Sequence, residues 1–194
     1  MALIAVTGGI GTGKTTIARL FHELGADTAD ADDIAHAAYL PGSRLHGEML
    51  ARWGSGILAS NGEIDRKAVA AIVFGDAAEL AWLEGMVHPF VRDELRRLSE
   101  GRPLFCAIPL LDESGWREDC SCVVSAWCPP DVQMARLLDR GWSIEDAELR
   151  LAAQASSDAK LQRADYGIVT SCSWECLREQ CRRVLKAVLD GIVE

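Results

Sequence analysis

Residues 3–16 read LIAVTGGIGTGKTT, a short apolar run followed by a glycine-rich turn. The apolar run predicts a buried strand that Gly8 and Gly9 bring to an end. From Lys14 to Leu24 the apolar residues recur at helical spacing, and Gly25 is well suited to end a helix. The stretch therefore predicts a strand, a loop and a helix in direct succession.

The loop between this strand and helix satisfies the pattern G-x-x-x-x-G-K-Ser/Thr from Gly8 to Thr15. Glycines let backbone N–H groups curl around phosphates, and the helix directs its positive end at them. We expect Lys14 to bridge the β- and γ-phosphates of ATP and Thr15 to ligate Mg²⁺. A glycine-rich turn with an exposed lysine is the alternative interpretation. The predicted ATP-binding residues are Gly9, Gly11, Thr12, Gly13, Lys14, Thr15 and Thr16.

Further apolar runs alternate with helical patterns along the rest of the chain. The candidate strands are residues 26–30, 104–111, 122–127 and 168–170. Near-continuous apolar strands that alternate with helices are typical of parallel sheets covered on both faces. The sequence therefore predicts an α/β fold, a doubly wound parallel sheet with the core of a P-loop NTPase.

A mostly helical block interrupts this alternation and is too long for a simple crossover. We predict one P-loop kinase unit over residues 1–194, in which 1–32 and 100–194 form the nucleotide-binding core. Residues 33–98 form an inserted helical subdomain, and residues 137–155 form a small lid. Pro89 is expected to kink or divide the long helix predicted from residue 77 to residue 98.

Asp30 and Asp32 follow the second predicted strand, where doubly wound sheets present residues to a ligand. One carboxylate could accept the proton of an attacking hydroxyl, and the other could hold a magnesium-bound water. Capping of the next helix is the structural alternative. Arg136, Arg140 and Arg150 flank a charged helix-turn-helix that suits a closing lid, unless they only form a solvated helix face.

The composition of the chain limits the classes of partner that it can bind. The formal net charge of −9 argues against a general nucleic-acid binder, because affinity for the phosphate backbone needs clustered cations. We find no signal-peptide pattern and no apolar run of about 18 residues, so we expect a cytoplasmic protein without a membrane partner. The seven cysteines are an odd number, which makes a disulfide framework a poor interpretation. Reduced thiols packed in the core explain them better.

Beyond the phosphate loop, the chain resembles the dephospho-coenzyme A kinase family nearly from end to end. The resemblance rests on an ordered series of motifs: Thr7 to Thr16, Leu24-Gly25, Asp30-Ala31-Asp32 with Ile34-Ala35-His36, Pro41-Gly42, Ile64-Asp65-Arg66, Ile72-Val73-Phe74, Leu83-Glu84, His88-Pro89, Pro109-Leu110-Leu111, Gln133 with Arg136-Leu137, Ser143 with Glu145 and Ala147, Gln154, and Ala164-Asp165. This series is far more specific than the loop alone.

The resemblance implies the last step of coenzyme A synthesis, in which ATP phosphorylates the ribose 3′-hydroxyl of dephospho-coenzyme A. It implies Asp32 as the general base, Lys14 in catalysis and Arg140 as a lid cation. It also implies that residues 33–98 form a substrate-binding subdomain, with Arg66 and His88 as further substrate-binding residues. The implied cofactors are ATP and Mg²⁺. A kinase for another small hydroxyl acceptor and a non-catalytic ATP-binding regulator remain alternatives, and the oligomeric state stays open.

The chain departs from the family pattern in two segments. Around the Pro-Leu-Leu motif, Ala107 and Asp112 stand where the family often has an acidic residue and a phenylalanine. Near the end of the last predicted strand, Thr170 and Cys172 stand where the family usually has Asn and Gly. We expect adenine recognition near that second segment to be altered or weakened.

Overall fold

A five-stranded sheet organises the fold of the computed structural model, which describes residues 2–112 and 114–193. Every pairing is parallel, and the spatial order of the strands is β2-β3-β1-β4-β5. This is the doubly wound α/β sheet that the sequence predicts. The strands are β1 (Leu3–Thr7), β2 (Asp27–Asp30), β3 (Leu104–Ala107), β4 (Cys122–Trp127) and β5 (Tyr166–Val169).

Helices fill the connections between the strands. The α-helices are α1 (Lys14–Glu23), α2 (Ala31–Ala37), α3 (Arg44–Trp53), α4 (Arg66–Gly75), α5 (Ala77–Leu98), α6 (Pro130–Leu138), α7 (Ile144–Ala152), α8 (Ser157–Gln162) and α9 (Trp174–Val193). Short 3₁₀ turns occur at Ser55–Ile57 and Trp116–Asp119.

The sheet is the centre of the first hydrophobic core. All five residues of β1 are buried, as expected for the middle strand of a covered parallel sheet. Ile4 and Val6 pack with Phe21 of α1 and with Val184 and Val188 of α9. Each such side chain contributes about 1.5–3 kcal/mol when fully buried. The burial of β1 fixes the position of its carboxyl end, and therefore the place where the glycine-rich loop begins.

The chain divides into two compact units. One consists of Met1–Asp30 with Leu98–Glu194 and contains the sheet, and the other is Ala31–Arg97 and is helical. The helical unit has its own hydrophobic core, which includes Leu45 and Met49 of α3 and Val69 and Val73 of α4. This core results from apolar spacing at three to four residues along each helix.

The structure differs from the expectation that Pro89 divides the long helix. Helix α5 runs without division from Ala77 to Leu98 with Pro89 inside it. Proline removes the hydrogen bond to the carbonyl of residue i−4, which is Gly85, and both residues are exposed, so water can replace that bond. Helix α7 ends at Ala152, and a further short helix, α8, begins at Ser157.

Candidate active site

The glycine-rich loop joins the end of β1 to the start of α1. Gly13 is the N-cap residue of α1 at φ +100°, a conformation that favours glycine, and no side chain caps the helix. The first N–H groups of an α-helix have no partner within the helix. These groups are therefore available to an anion at the positive end of α1.

Lys14 and the neighbouring threonines give the loop its polar side chains. The Lys14 ammonium donates hydrogen bonds to the carbonyl oxygens of Gly8 at 2.9 Å and Gly9 at 3.1 Å. The buried Thr12 hydroxyl donates to the Gly9 carbonyl at 2.8 Å. Thr15 is exposed, and its hydroxyl has no hydrogen-bond partner among the described residues. A cation, an uncapped helix and a hydroxyl that can accept a metal thus occur within one loop.

Gln133 of α6 and Ser157 of α8 support the outer side of the loop. The Gln133 side-chain amide donates a short hydrogen bond to the Ile10 carbonyl, and Ser157 donates to the Gln133 side-chain oxygen at 3.1 Å. A Cβ atom on Gly9 would lie only 2.5 Å from the Ser157 hydroxyl oxygen. From the sequence, Gln133 is identified only as a member of the motif series, and Ser157 is not identified.

Arg136 and Thr170 fasten the other side of the loop to the end of β5. The Arg136 guanidinium donates to the Thr170 hydroxyl at 2.9 Å and to the Thr170 carbonyl at 2.7 Å. It also reaches the carbonyl oxygens of Gly11 and Thr12, each at 3.4 Å. The Thr170 hydroxyl in turn donates to the Thr12 carbonyl. Thr170, a departure from the family pattern, is thus part of the loop's support.

The other two arginines of the predicted lid differ in their surroundings. Arg140 follows α6 and is exposed, and its side chain forms no hydrogen bond or ion pair with any residue in the described part of the chain. Arg150 of α7 stacks over the Trp142 ring, with 4.5 Å from its guanidinium carbon to the ring centroid. Arg140 is therefore the better cation for an incoming ligand, whereas Arg150 belongs to a local cation–π contact.

The predicted residues of the helical unit lie on three helices. Asp32 is exposed in the first turn of α2, and His88 is half-buried within α5. Arg66 begins α4, and its guanidinium lies 3.4 Å from Nδ1 of His36. Arg66 also lines a groove of about 500 Å³ with Tyr39, a residue that the sequence did not single out. Burial raises the pKa of the Tyr39 hydroxyl, and the Arg66 charge partly opposes that effect.

The prediction that the cysteines pack in the core is wrong for Cys172 and Cys176, which are exposed. All seven are free, and Cys106, Cys120, Cys128 and Cys181 are buried. Within residues 2–112 and 114–193, no group of three or more His, Cys, Asp or Glu side chains could hold a metal ion. In the same part of the chain, no helix combines the length and apolarity needed to cross a membrane.

Comparison with known proteins identifies the family. The sequence model of the family described as dephospho-CoA kinase matches residues 2–175. The chain belongs to the dephospho-CoA kinase family. A dephospho-CoA kinase of Anaeromyxobacter dehalogenans is 40% identical to it over 198 aligned positions, which cover 98% of this chain and 94% of the relative.

Solved structures agree with this family assignment. A crystal structure from Thermus thermophilus superimposes with a TM-score of 0.78 at 34% identity, covering 98% of this chain and 97% of that one. A dephospho-CoA kinase from Campylobacter jejuni gives a TM-score of 0.72 at 28% identity, covering 97% and 98% of the two chains. The predicted resemblance is confirmed, and as a dephospho-CoA kinase family member the chain is an ATP-dependent phosphotransferase.

Proposed function

We propose that this chain transfers the γ-phosphate of ATP to the ribose 3′-hydroxyl of dephospho-coenzyme A, giving coenzyme A and ADP. The phosphate loop is the observation that carries the proposal, because it combines an uncapped helix N-terminus with the Lys14 ammonium. Membership of the dephospho-CoA kinase family supports the choice of acceptor.

In this proposal the loop from Gly9 to Thr16 holds the triphosphate. The Lys14 ammonium exchanges the carbonyl oxygens of Gly8 and Gly9 for phosphate oxygens, which carry more negative charge. The exposed Thr15 hydroxyl is suited to be a ligand of Mg²⁺, because it makes no hydrogen bond to a described residue. Bound Mg²⁺ would neutralise charge on the transferring phosphoryl group.

The remaining roles concern the acceptor and the closing of the site. Asp32 accepts the proton of the 3′-hydroxyl as the oxygen attacks the γ-phosphorus, and ADP leaves. Arg140 supplies a positive charge to the phosphates when the lid, residues 137–155, closes. Arg66 and His88 bind dephospho-coenzyme A from the subdomain of residues 33–98, while residues 1–32 and 100–194 hold the nucleotide.

The first test is ADP release from MgATP with dephospho-coenzyme A beside adenosine, AMP and shikimate as rival acceptors. We expect turnover with dephospho-coenzyme A alone, and we expect Lys14→Ala to abolish it. Equal or faster turnover with a rival acceptor would reject the proposed substrate. Tight ATP binding without turnover on any acceptor would indicate a regulatory protein.

Asp32→Asn tests the proposed base. The amide keeps the size of the side chain but cannot accept the proton, so kcat should fall by about 10²–10⁴-fold. Because the phosphate loop is unchanged, the Kd for ATP should stay within about twofold of the wild-type value. Asp33→Asn, the same change at an exposed neighbour in α2, is the matched control and should retain activity. Unchanged kcat in Asp32→Asn would remove Asp32 as the base.

A further inference from the structure

Two exposed thiols meet at the start of α9. Cys172 lies just before the helix and Cys176 lies in its first turn, and both side chains are exposed. The side-chain amide nitrogen of Gln180 lies 3.4 Å from the Cys172 sulfur and 3.7 Å from the Cys176 sulfur. The two thiols form an accessible pair, which we call the thiol pair.

The thiol pair differs from the other cysteines in its reactivity. Burial raises the pKa of the Cys120, Cys122 and Cys181 thiols to about 11, so these thiols stay protonated at neutral pH. The thiolate is the nucleophile in disulfide exchange, and access is also required. The pKa of Cys172 is raised too, first by burial and then by the adjacent Cys176 thiol, but this pair is open to solvent.

The thiol pair is connected to the phosphate loop through the end of β5. The Cys172 thiol donates to the Val169 carbonyl at 3.2 Å, and the Gln180 amide bonds both the N–H and the carbonyl of Val169 at 3.0 Å. The next residue, Thr170, donates from its hydroxyl to the Thr12 carbonyl of the loop. Cys172 is therefore only two residues from Thr170, which contacts the phosphate loop directly, so a shift of Cys172 can be transmitted to the loop.

We propose that Cys172 and Cys176 form a reversible disulfide by exchange with a low-molecular-weight disulfide, and that this bond weakens ATP binding. One thiol loses its proton and attacks a sulfur of the small disulfide, releasing one small thiol and leaving a mixed disulfide. The second thiolate attacks the protein sulfur of that mixed disulfide, releasing the other small thiol. The two protein thiols are oxidised, and the small disulfide is reduced to two thiols.

The disulfide affects the loop because of its geometry. Its two sulfurs must approach to about 2.05 Å, with Cβ atoms about 3.8 Å apart. The Cys172 sulfur then loses its proton and its bond to the Val169 carbonyl, and the contacts of both sulfurs with Gln180 change. Residues 170–173 shift with Cys172, which weakens the Thr170 contact with Thr12. This effect on ATP rests on the proposed function.

The experiment treats the full chain with oxidised glutathione and then measures thiols and ATP affinity separately. We expect the number of free thiols, titrated under denaturing conditions, to fall by two from the seven of the reduced chain. Peptide mapping should find Cys172 joined to Cys176. The Kd for MgATP should rise by at least about fivefold, a common size for coupling between two sites, and dithiothreitol should restore it.

Two variants keep this test decisive. Cys172→Ser keeps a hydroxyl that can donate to the Val169 carbonyl, so it should bind ATP like the reduced wild type and should not show the fivefold rise in Kd on oxidation. Cys122→Ser, a half-buried cysteine on β4, should still respond like the wild type. A stable glutathione adduct in place of the bridge would contradict the proposed disulfide between Cys172 and Cys176. A complete bridge with an unchanged Kd would overturn its coupling to the loop. A reduced chain that binds no ATP would instead reject the proposed function.

Discussion

Gly9 shows how closely the phosphate loop is packed. A methyl group there would lie 2.5 Å from the Ser157 hydroxyl oxygen and 2.8 Å from the Gln133 amide nitrogen. Both side chains would have to move, which disrupts the bond from Gln133 to Ile10 and the bond from Ser157 to Gln133. We expect Gly9→Ala to cost about 1–3 kcal/mol of unfolding free energy and to weaken ATP binding, as measured by urea denaturation and calorimetry.

A second glycine provides the control for this substitution. Gly47 lies in the interior of α3, and no heavy atom lies within 4 Å of a Cβ built there. Gly47→Ala should therefore leave ATP binding unchanged and stabilise the chain by about 0.5–1 kcal/mol, since alanine favours the helix. If Gly9→Ala were as stable as Gly47→Ala, the loop would not be packed against Gln133 and Ser157.

At the scale of residues, the sequence identifies functional groups that are close together in the chain. The proposed roles of Lys14 and Thr15 can be derived from the sequence, because they follow from spacing within one strand, loop and helix. Gln133 and Ser157 cannot be identified in this way, because their contact with the loop bridges more than a hundred residues and depends on how α6 and α8 pack. Thr170 illustrates the same limit: its hydroxyl reaches Thr12 only in the folded sheet.

Helices α3 and α5 are joined by a network of charged and aromatic side chains. The Arg52 guanidinium donates to both oxygens of the Glu79 carboxylate at 2.6 and 2.8 Å, and the Trp53 indole donates to the same carboxylate at 2.7 Å. Arg52 also stacks over Trp82, whose ring meets Trp53 edge-on at 5.0 Å. The hydrogen bond from Arg52, followed by that from Trp53, lowers the pKa of Glu79 below 4.5.

A lowered pKa makes the network sensitive to acid. The unfolded chain binds a proton at Glu79 more readily than the folded chain does, so the stabilisation is present above about pH 4.5 and is lost as the pH falls through the folded-state pKa. Urea denaturation between pH 3 and 6 should therefore show a steeper loss of stability in the wild type than in Glu79→Gln. Glu48→Gln on α3, paired with Arg44 on the surface, should retain the wild-type slope. Equal slopes in wild type and Glu79→Gln would contradict the prediction.

At the scale of elements, the sequence predicts whether a segment is a helix or a strand better than it predicts where that element begins and ends. The long helix from Ala77 to Leu98 has the expected bounds, but its continuity through Pro89 depends on the exposure of Gly85 and Pro89, which the sequence alone does not state. Helix α8 has only six residues, too few to show a clear helical period. Its local sequence signal is the N-cap Ser156, whose hydroxyl accepts a hydrogen bond from the Ala159 N–H.

For the whole molecule, ligand binding and folding are linked through the sheet-containing unit. ATP that binds only the folded chain stabilises it by RT ln(1 + [L]/Kd), or about 2.7 kcal/mol at a hundredfold excess over Kd. If Mg²⁺ binds through Thr15, part of this stabilisation should disappear when a chelator removes the metal. In Thr15→Val, the difference in Tm between MgATP and metal-free ATP should fall to less than about half its wild-type value.

Thermal denaturation with and without ligand separates this effect from a structural one. Because Thr15 is exposed and its hydroxyl makes no hydrogen bond to a described residue, Thr15→Val without ligand should stay within about 0.5 kcal/mol of the wild-type stability. Thr28→Val in β2, outside the loop, should keep the full metal-dependent increase in Tm. An undiminished increase in Thr15→Val would show that other groups hold the metal. The decrease therefore reports on the Thr15 hydroxyl itself, because the variant's own folding is unchanged and its loop still offers Lys14 to the phosphates.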